Sequence, residues 1–136
     1  MSRLVQICFL LISQFFVTEL QAQATFPFSE GERIKYNAYI EMPKAYISGV
    51  CVLQREGGII KGSLFNEFGI TALDFTYNPE RGKVKLHHVM KLLDKWYIRR
   101  VLRKDMAQLM TCLQQGKTMY YNERRKIRYQ LNDSPE

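Results

Sequence analysis

Apolar and polar positions alternate in short runs over residues 33–88. In Arg33–Met42, Ile34, Tyr36, Ala38, Ile40 and Met42 fall on one side, while Arg33, Lys35, Asn37 and Glu41 fall on the other, with Tyr39 among them. This period of two predicts a strand with one buried face. Pro43 ends it, because proline cannot donate to a ladder. Residues 46–55 read as a second strand, and Glu56-Gly57-Gly58 as a hairpin turn into a third at 59–65. Residues 66–69 turn into a fourth strand at 70–77. Asn78-Pro79-Glu80-Arg81-Gly82 then leads into a fifth at 83–88, with proline suited to the second turn position and glycine to its exit. Five strands with short links predict an antiparallel meander.

From residue 89 the period lengthens. Ile98, Val101, Leu102, Met106, Leu109 and Leu113 recur every three or four residues, while Arg99, Arg100, Arg103, Lys104 and Gln108 lie mostly off that stripe. The spacing predicts an amphipathic helix, with Asp94 as its N-cap and Gly116 as its stop. A last hairpin follows, 117–122 and 126–131 around Glu123-Arg124-Arg125, and then a polar tail at 132–136. The fold class expected is α+β: a curved antiparallel sheet of about seven strands, an incomplete barrel, wrapped around one main helix. Gly49 and Gly62, inside strands, favour the bend.

The beginning of the chain reads differently. Met1-Ser2-Arg3 is a basic start, residues 4–17 are an apolar run broken only by Gln6, Ser13 and Gln14, and Ala22-Gln23-Ala24 has the small-x-small form of a signal-peptidase site. The run is short of the roughly 20 apolar residues of a spanning helix. The expectation is a signal peptide over 1–24, cleaved after Ala24 or alternatively Ala22, and a single domain over 25–136 that is exported to the periplasm or envelope. Cys8 follows the bulky Ile7 and has apolar sequence behind it, so no lipid anchor is expected.

Charge supports a surface partner. Residues 1–24 hold one base, Arg3, and one acid, Glu19, so the remainder keeps the whole-chain charge of +7. An excess of this sign favours anionic surfaces such as lipid headgroups, or serves solubility alone. Nucleic acid is not expected, since no recognition motif is present. Cys51 and Cys112 could pair in an oxidising compartment. Both also sit in apolar patterns, where cysteine behaves as a small buried hydrophobe.

Candidate chemistry is sparse. His87 and His88 are adjacent on a strand and point to opposite faces, so they do not converge on one ion or proton. Asp74 and Asp105 interrupt apolar patterns, and Asp105, on the helix stripe, is expected to pair with Arg33 or another base. Ser48 before Gly49 has no nucleophile-elbow context. No cysteine and histidine set has zinc spacing, and no glycine-rich phosphate loop is present. The reading is a protein that is not an enzyme and carries no cofactor or metal.

One turn is unusual. In Asn66-Glu67-Phe68-Gly69 a phenylalanine stands where polar residues are the rule. With Gly49-Val50-Cys51-Val52 before it, Ile70-Thr71-Ala72-Leu73-Asp74-Phe75 after it and Gly82-Lys83-Val84-Lys85-Leu86 beyond, this stretch resembles the LolA/LolB family of periplasmic lipoprotein carriers and receptors. Asn66 and Gly69 match the Asn-Pro-Leu-Gly turn of the LolB-like members, with Glu67 in place of proline and Phe68 in place of leucine. The resemblance covers about residues 46–115. It implies an incomplete barrel closed by helices, with an acyl chain or lipoprotein in an apolar cavity. Here that cavity would be lined by Tyr36, Ile40, Leu64, Phe75, Trp96, Leu102 and Met106, with Phe68 as a membrane-contact tip. The alternatives are that Phe68 folds back into the core, and that the protein is a structural or protein-interaction module with a solidly packed sheet and no small ligand.

Overall fold

The computed structural model describes residues 25–134. The expected signal peptide at 1–24, with Cys8 and the cleavage sites after Ala22 and Ala24, lies outside the described residues, as do the last two residues of the polar tail. Strands β1 (Arg33–Met42), β2 (Ala45–Glu56), β3 (Ile59–Asn66), β4 (Thr71–Asn78) and β5 (Lys83–Val89) are followed by helix α1 (Trp96–Gln114), then β6 (Met119–Asn122) and β7 (Ile127–Asp133). All pairings are antiparallel, and the sheet runs β5-β4-β3-β2-β1-β7-β6. The sheet curls into a half-barrel and α1 packs against it. The helix touches both β5 and β6, the two edge strands, and so spans the gap that the open sheet leaves.

The meander forms where the alternation predicts it, with Tyr36, Ala38 and Ile40 of β1 buried. Its two interior glycines are demanded by close approach. A Cβ on Gly49 would lie 2.8 Å from the Phe65 carbonyl carbon, and one on Gly62 would lie 2.6 Å from both Cε atoms of the Phe75 ring. The Phe75 ring therefore lies over the space that Gly62 leaves empty. Irregularities in register between Leu64 and Phe65, and between Asp74 and Phe75, accompany the bend.

The helix begins differently from expectation. Its N-cap is Lys95, without a side-chain cap, because the Asp94 carboxylate turns instead to Arg99, 2.7 Å away. Its end is as the glycine predicts. Gly116 takes φ +81°, its N–H donates to Leu113 O, and the Lys117 N–H donates to Cys112 O. These two bonds form a Schellman motif.

Leu102, Met106, Leu109, Met110 and Leu113 of α1 share one core with Tyr36, Phe75, Tyr77 and Tyr129 of the sheet. Each of these buried phenols finds an acceptor for its hydroxyl. Tyr36 donates to Thr25 O at 2.6 Å, Tyr77 to Gln114 Oε1 at 2.8 Å and Tyr129 to Asp105 Oδ2 at 2.6 Å. Among the described residues Asp105 thus pairs with no base. Its carboxylate, buried on the helix, also accepts two hydrogen bonds from Asn122 Nδ2, at 2.9 and 3.0 Å. Neutral donors from β6 and β7 take the place expected of Arg33, and so tie the helix to the last hairpin.

Candidate functional site

Strand pairing sorts the connections into two ends. Met42 opposes Ala45, Glu41 opposes Arg128 and Leu73 opposes Val89. The β1–β2 turn, the β3–β4 turn, the segment leading from β5 into α1, and the β6–β7 turn therefore share one end of the half-barrel. Connections there carry Lys44, Lys91, Lys95, Arg124, Arg125 and Lys126 against Glu67, Asp94 and Glu123. The opposite end, with residues 25–32, 57–58, 79–82 and 115–118, carries Glu30, Glu32 and Glu80 against Arg81 and Lys117. Among the connections, the positive excess lies at the first of these ends.

The same end displays apolar side chains to solvent. Phe68 is 80% exposed and Leu92 and Trp96 are each 76% exposed, with Ile70, Tyr46 and Tyr97 also open. Phe68 is a projecting tip because Asn66 organises its turn from inside. Asn66 Oδ1 accepts from the Phe68 N–H at 3.0 Å and from the Ile70 N–H at 2.9 Å, and its carbonyl accepts from Gly69 at 3.0 Å. Gly69 closes the turn at φ +78°, where a side chain would be strained. The core position considered for Phe68 is excluded.

Two depressions adjoin this end. The first is a half-open apolar slot of about 190 Å³ between α1 and the mouth of the sheet, lined by Ile40, Met42, Ile47, Ile98 and Leu102 among others, with Tyr97, Val101 and Arg125 along it. The second is a cleft of about 390 Å³ between Trp96, Tyr97, Arg100, Lys104, Arg124 and Arg125. Larger depressions of about 680 and 700 Å³ lie on the outer face of the sheet and beside the helix. They are shallow and mixed in polarity, so the slot is the better place for an apolar group.

The residues expected to line a cavity divide. Tyr36, Leu64, Phe75 and Met106 are buried in the core, Ile40 and Leu102 are buried and reach the slot, and Trp96 stands in solvent beside the cationic cleft. Trp96 departs from expectation because it occupies the first turn of α1, before the buried stripe begins. Ile70, Leu92, Tyr97, Arg100 and Arg125 were not read as site residues in the sequence. The signal available was Leu92 beside Lys91, Asp94 and Lys95, and the basic run Arg124-Arg125-Lys126 in a hairpin turn.

The remaining chemistry is quiet. Cys51 and Cys112 are free thiols, and burial pushes the Cys51 thiol up to about 12. His87 and His88 are both exposed, His87 resting 3.0 Å from Thr76 Oγ1. Asp74, on the outer face, accepts from Ser63 at 2.7 Å. Among the described residues no cluster of three or more histidine, cysteine, aspartate or glutamate side chains could hold a metal, and no helix is long and apolar enough to cross a membrane. No protein-family model, no curated protein and no solved structure matches the chain, so the likeness to LolA/LolB carriers rests on the residues of the strands and the Phe68 turn alone.

Proposed function

We propose that the protein is a non-enzymatic, lipid-associated module of the cell envelope, of LolA/LolB type, that rests its basic end on an anionic lipid surface and accepts an acyl chain there. The observation that carries this reading is the coincidence, at one end of the half-barrel, of exposed Phe68, Ile70, Leu92 and Trp96 with Lys44, Lys91, Lys95, Arg124, Arg125 and Lys126. One inserted ring gives only marginal affinity, and stable attachment takes two signals. Apolar tips supply one, and the cations supply the other at roughly 1 kcal/mol for each lysine or arginine near an anionic surface. Trp96 and Tyr97 suit the headgroup layer, where amphipathic rings gather.

Co-sedimentation with vesicles tests it. Binding to phosphatidylglycerol vesicles is expected to exceed binding to phosphatidylcholine vesicles and to weaken as salt rises. Phe68→Glu removes an apolar ring from the interface and adds a repelled charge. It is expected to reduce vesicle binding while leaving the melting temperature nearly unchanged, since the side chain is 80% exposed. Equal, salt-independent binding to both vesicle types would sink the proposal.

A packed core favours a second reading. Tyr36, Tyr77, Tyr129 and Phe75 fill the concave face with α1, as a protein-interaction module without a small ligand requires. Absence of vesicle binding, together with a Phe68→Glu variant of unchanged fold, would favour it.

A further inference from the structure

We propose that the apolar slot and the cationic cleft form one site for a single-chain amphiphile with an anionic oxygen headgroup. The chain enters the slot beneath Ile98 and Leu102, and the headgroup lies in the cleft between Arg125 and Arg100. This deepens the lipid-binding reading by naming the ligand class, and it requires no contact with a bilayer.

Adjacency is the first support. Tyr97, Val101 and Arg125 line both depressions, so the slot and the cleft lie side by side with only these three side chains between them. Apart from Tyr97 and Arg125, every residue lining the slot is apolar. Arg125 has the side chain such a junction needs, with a methylene stem that covers apolar surface and a guanidinium that remains in a polar site.

Charge is the second support. The cleft presents Arg100, Lys104, Arg124 and Arg125, and none of these makes an ion pair among the described residues. The acid in its lining is Asp105, whose oxygens already accept from Asn122 and Tyr129. The cleft is therefore short of negative charge, and arginine forks fit carboxylate and phosphate oxygens alike.

Size selects the chain number. At about 190 Å³ the slot is smaller than the roughly 300–1,000 Å³ of ordinary small-molecule sites. It admits part of one chain, and a diacyl lipid would leave its second chain in water.

Trp96 is the single tryptophan of the sequence and lines the cleft, so its fluorescence reports occupancy directly. The full chain is titrated below micelle formation with dodecyl phosphate, laurate, dodecyltrimethylammonium and inorganic phosphate. Dodecyl phosphate and laurate are expected to shift Trp96 emission saturably with one molecule per chain, and the ammonium compound is not. Arg125→Gln, or Arg100→Gln as a second exposed variant, is expected to weaken dodecyl phosphate roughly ten-fold or more, the effect of one charge-assisted hydrogen bond. Ile47→Phe, which fills the slot, is expected to weaken dodecyl phosphate without changing the response to inorganic phosphate. Equal binding of the cationic amphiphile would overturn the assignment. So would inorganic phosphate binding as tightly as dodecyl phosphate, which would leave an anion site only. Phe68→Glu separates the two readings: loss of vesicle binding with the amphiphile titration intact retains the site, whereas vesicle binding without amphiphile binding removes the site alone.

Discussion

Replacing Tyr129 with phenylalanine isolates the polar contact that fastens the helix to the last hairpin. The Tyr129 hydroxyl is buried and donates to Asp105 Oδ2 at 2.6 Å, a bond to a charged acceptor. Such bonds contribute about 1.5–3 kcal/mol each, and loss of one leaves the acceptor in a dry site with fewer partners. Asn122 still donates to both oxygens, so the carboxylate is not orphaned, and the cost is expected near 2 kcal/mol rather than beyond it. With a urea slope of about 1–3 kcal/mol per molar for a domain of this size, the midpoint falls by on the order of 1 M. The assay is equilibrium urea unfolding of the protein, Tyr129→Phe, Asp105→Asn and the double variant. If the bond is the cause, the two single changes do not add, and the cycle returns a coupling of about 1 kcal/mol or more. A Tyr129→Phe loss below about 0.5 kcal/mol, or strict additivity, would refute the reasoning.

Other perturbations address the sheet and the core. Gly62→Ala would press a methyl group into the Phe75 ring, with both Cε atoms 2.6 Å from the new Cβ, and is expected to cost roughly 1–3 kcal/mol in urea unfolding although alanine ordinarily suits a strand better. Leu102→Ala is expected to cost roughly 2–5 kcal/mol, because Leu102 is buried and the space it leaves joins the existing slot rather than collapsing. Alkaline pH should unfold the protein progressively. Burial holds the Cys51 thiol up to about 12 from 9.0 and raises the Tyr36 and Tyr129 phenols above 10.0, so the unfolded chain loses these protons first. Stability is then complete below about pH 9 and declines above it, by about 1.4 kcal/mol per pH unit for each group titrating, and melting curves at pH 8 to 11 with Cys51→Ala as a control measure this.

Much of the fold was legible because it follows from periodicity. Ile34 to Met42 alternate without a break, and Ile98 to Leu113 keep a helical stripe, so both elements lie where the pattern sets them. Positions with two good local solutions were not legible. Asp94 could cap the helix or pair with Arg99, and pairing won. Asp105 required a donor, and whether that donor was a base or a hydroxyl depended on which strand folded against it. Gly49 and Gly62 read as places to bend, whereas their need arises from Phe65 and Phe75 on neighbouring strands. The candidate site was the least visible, because Phe68, the stretch from Leu92 to Trp96, and Arg125 lie far apart in the sequence and meet only through the register of the sheet.

Strand β1 sits in the interior of the sheet, between β2 near it in sequence and β7 almost at the other end of the chain. During synthesis, the partner for one side of β1 is therefore made last. Until it arrives β1 is an edge, with unpaired backbone groups beside Tyr36, Ala38 and Ile40, and the concave face waits for α1 as well. Pairing over so long a loop is slow, and an uncovered edge is an invitation to another chain. Pairing of the last strand is therefore expected to be the slow step of folding, and a chain cut short before residue 127 would retain the five strands of the meander, the helix and β6 yet lack the strand that joins β6 to β1.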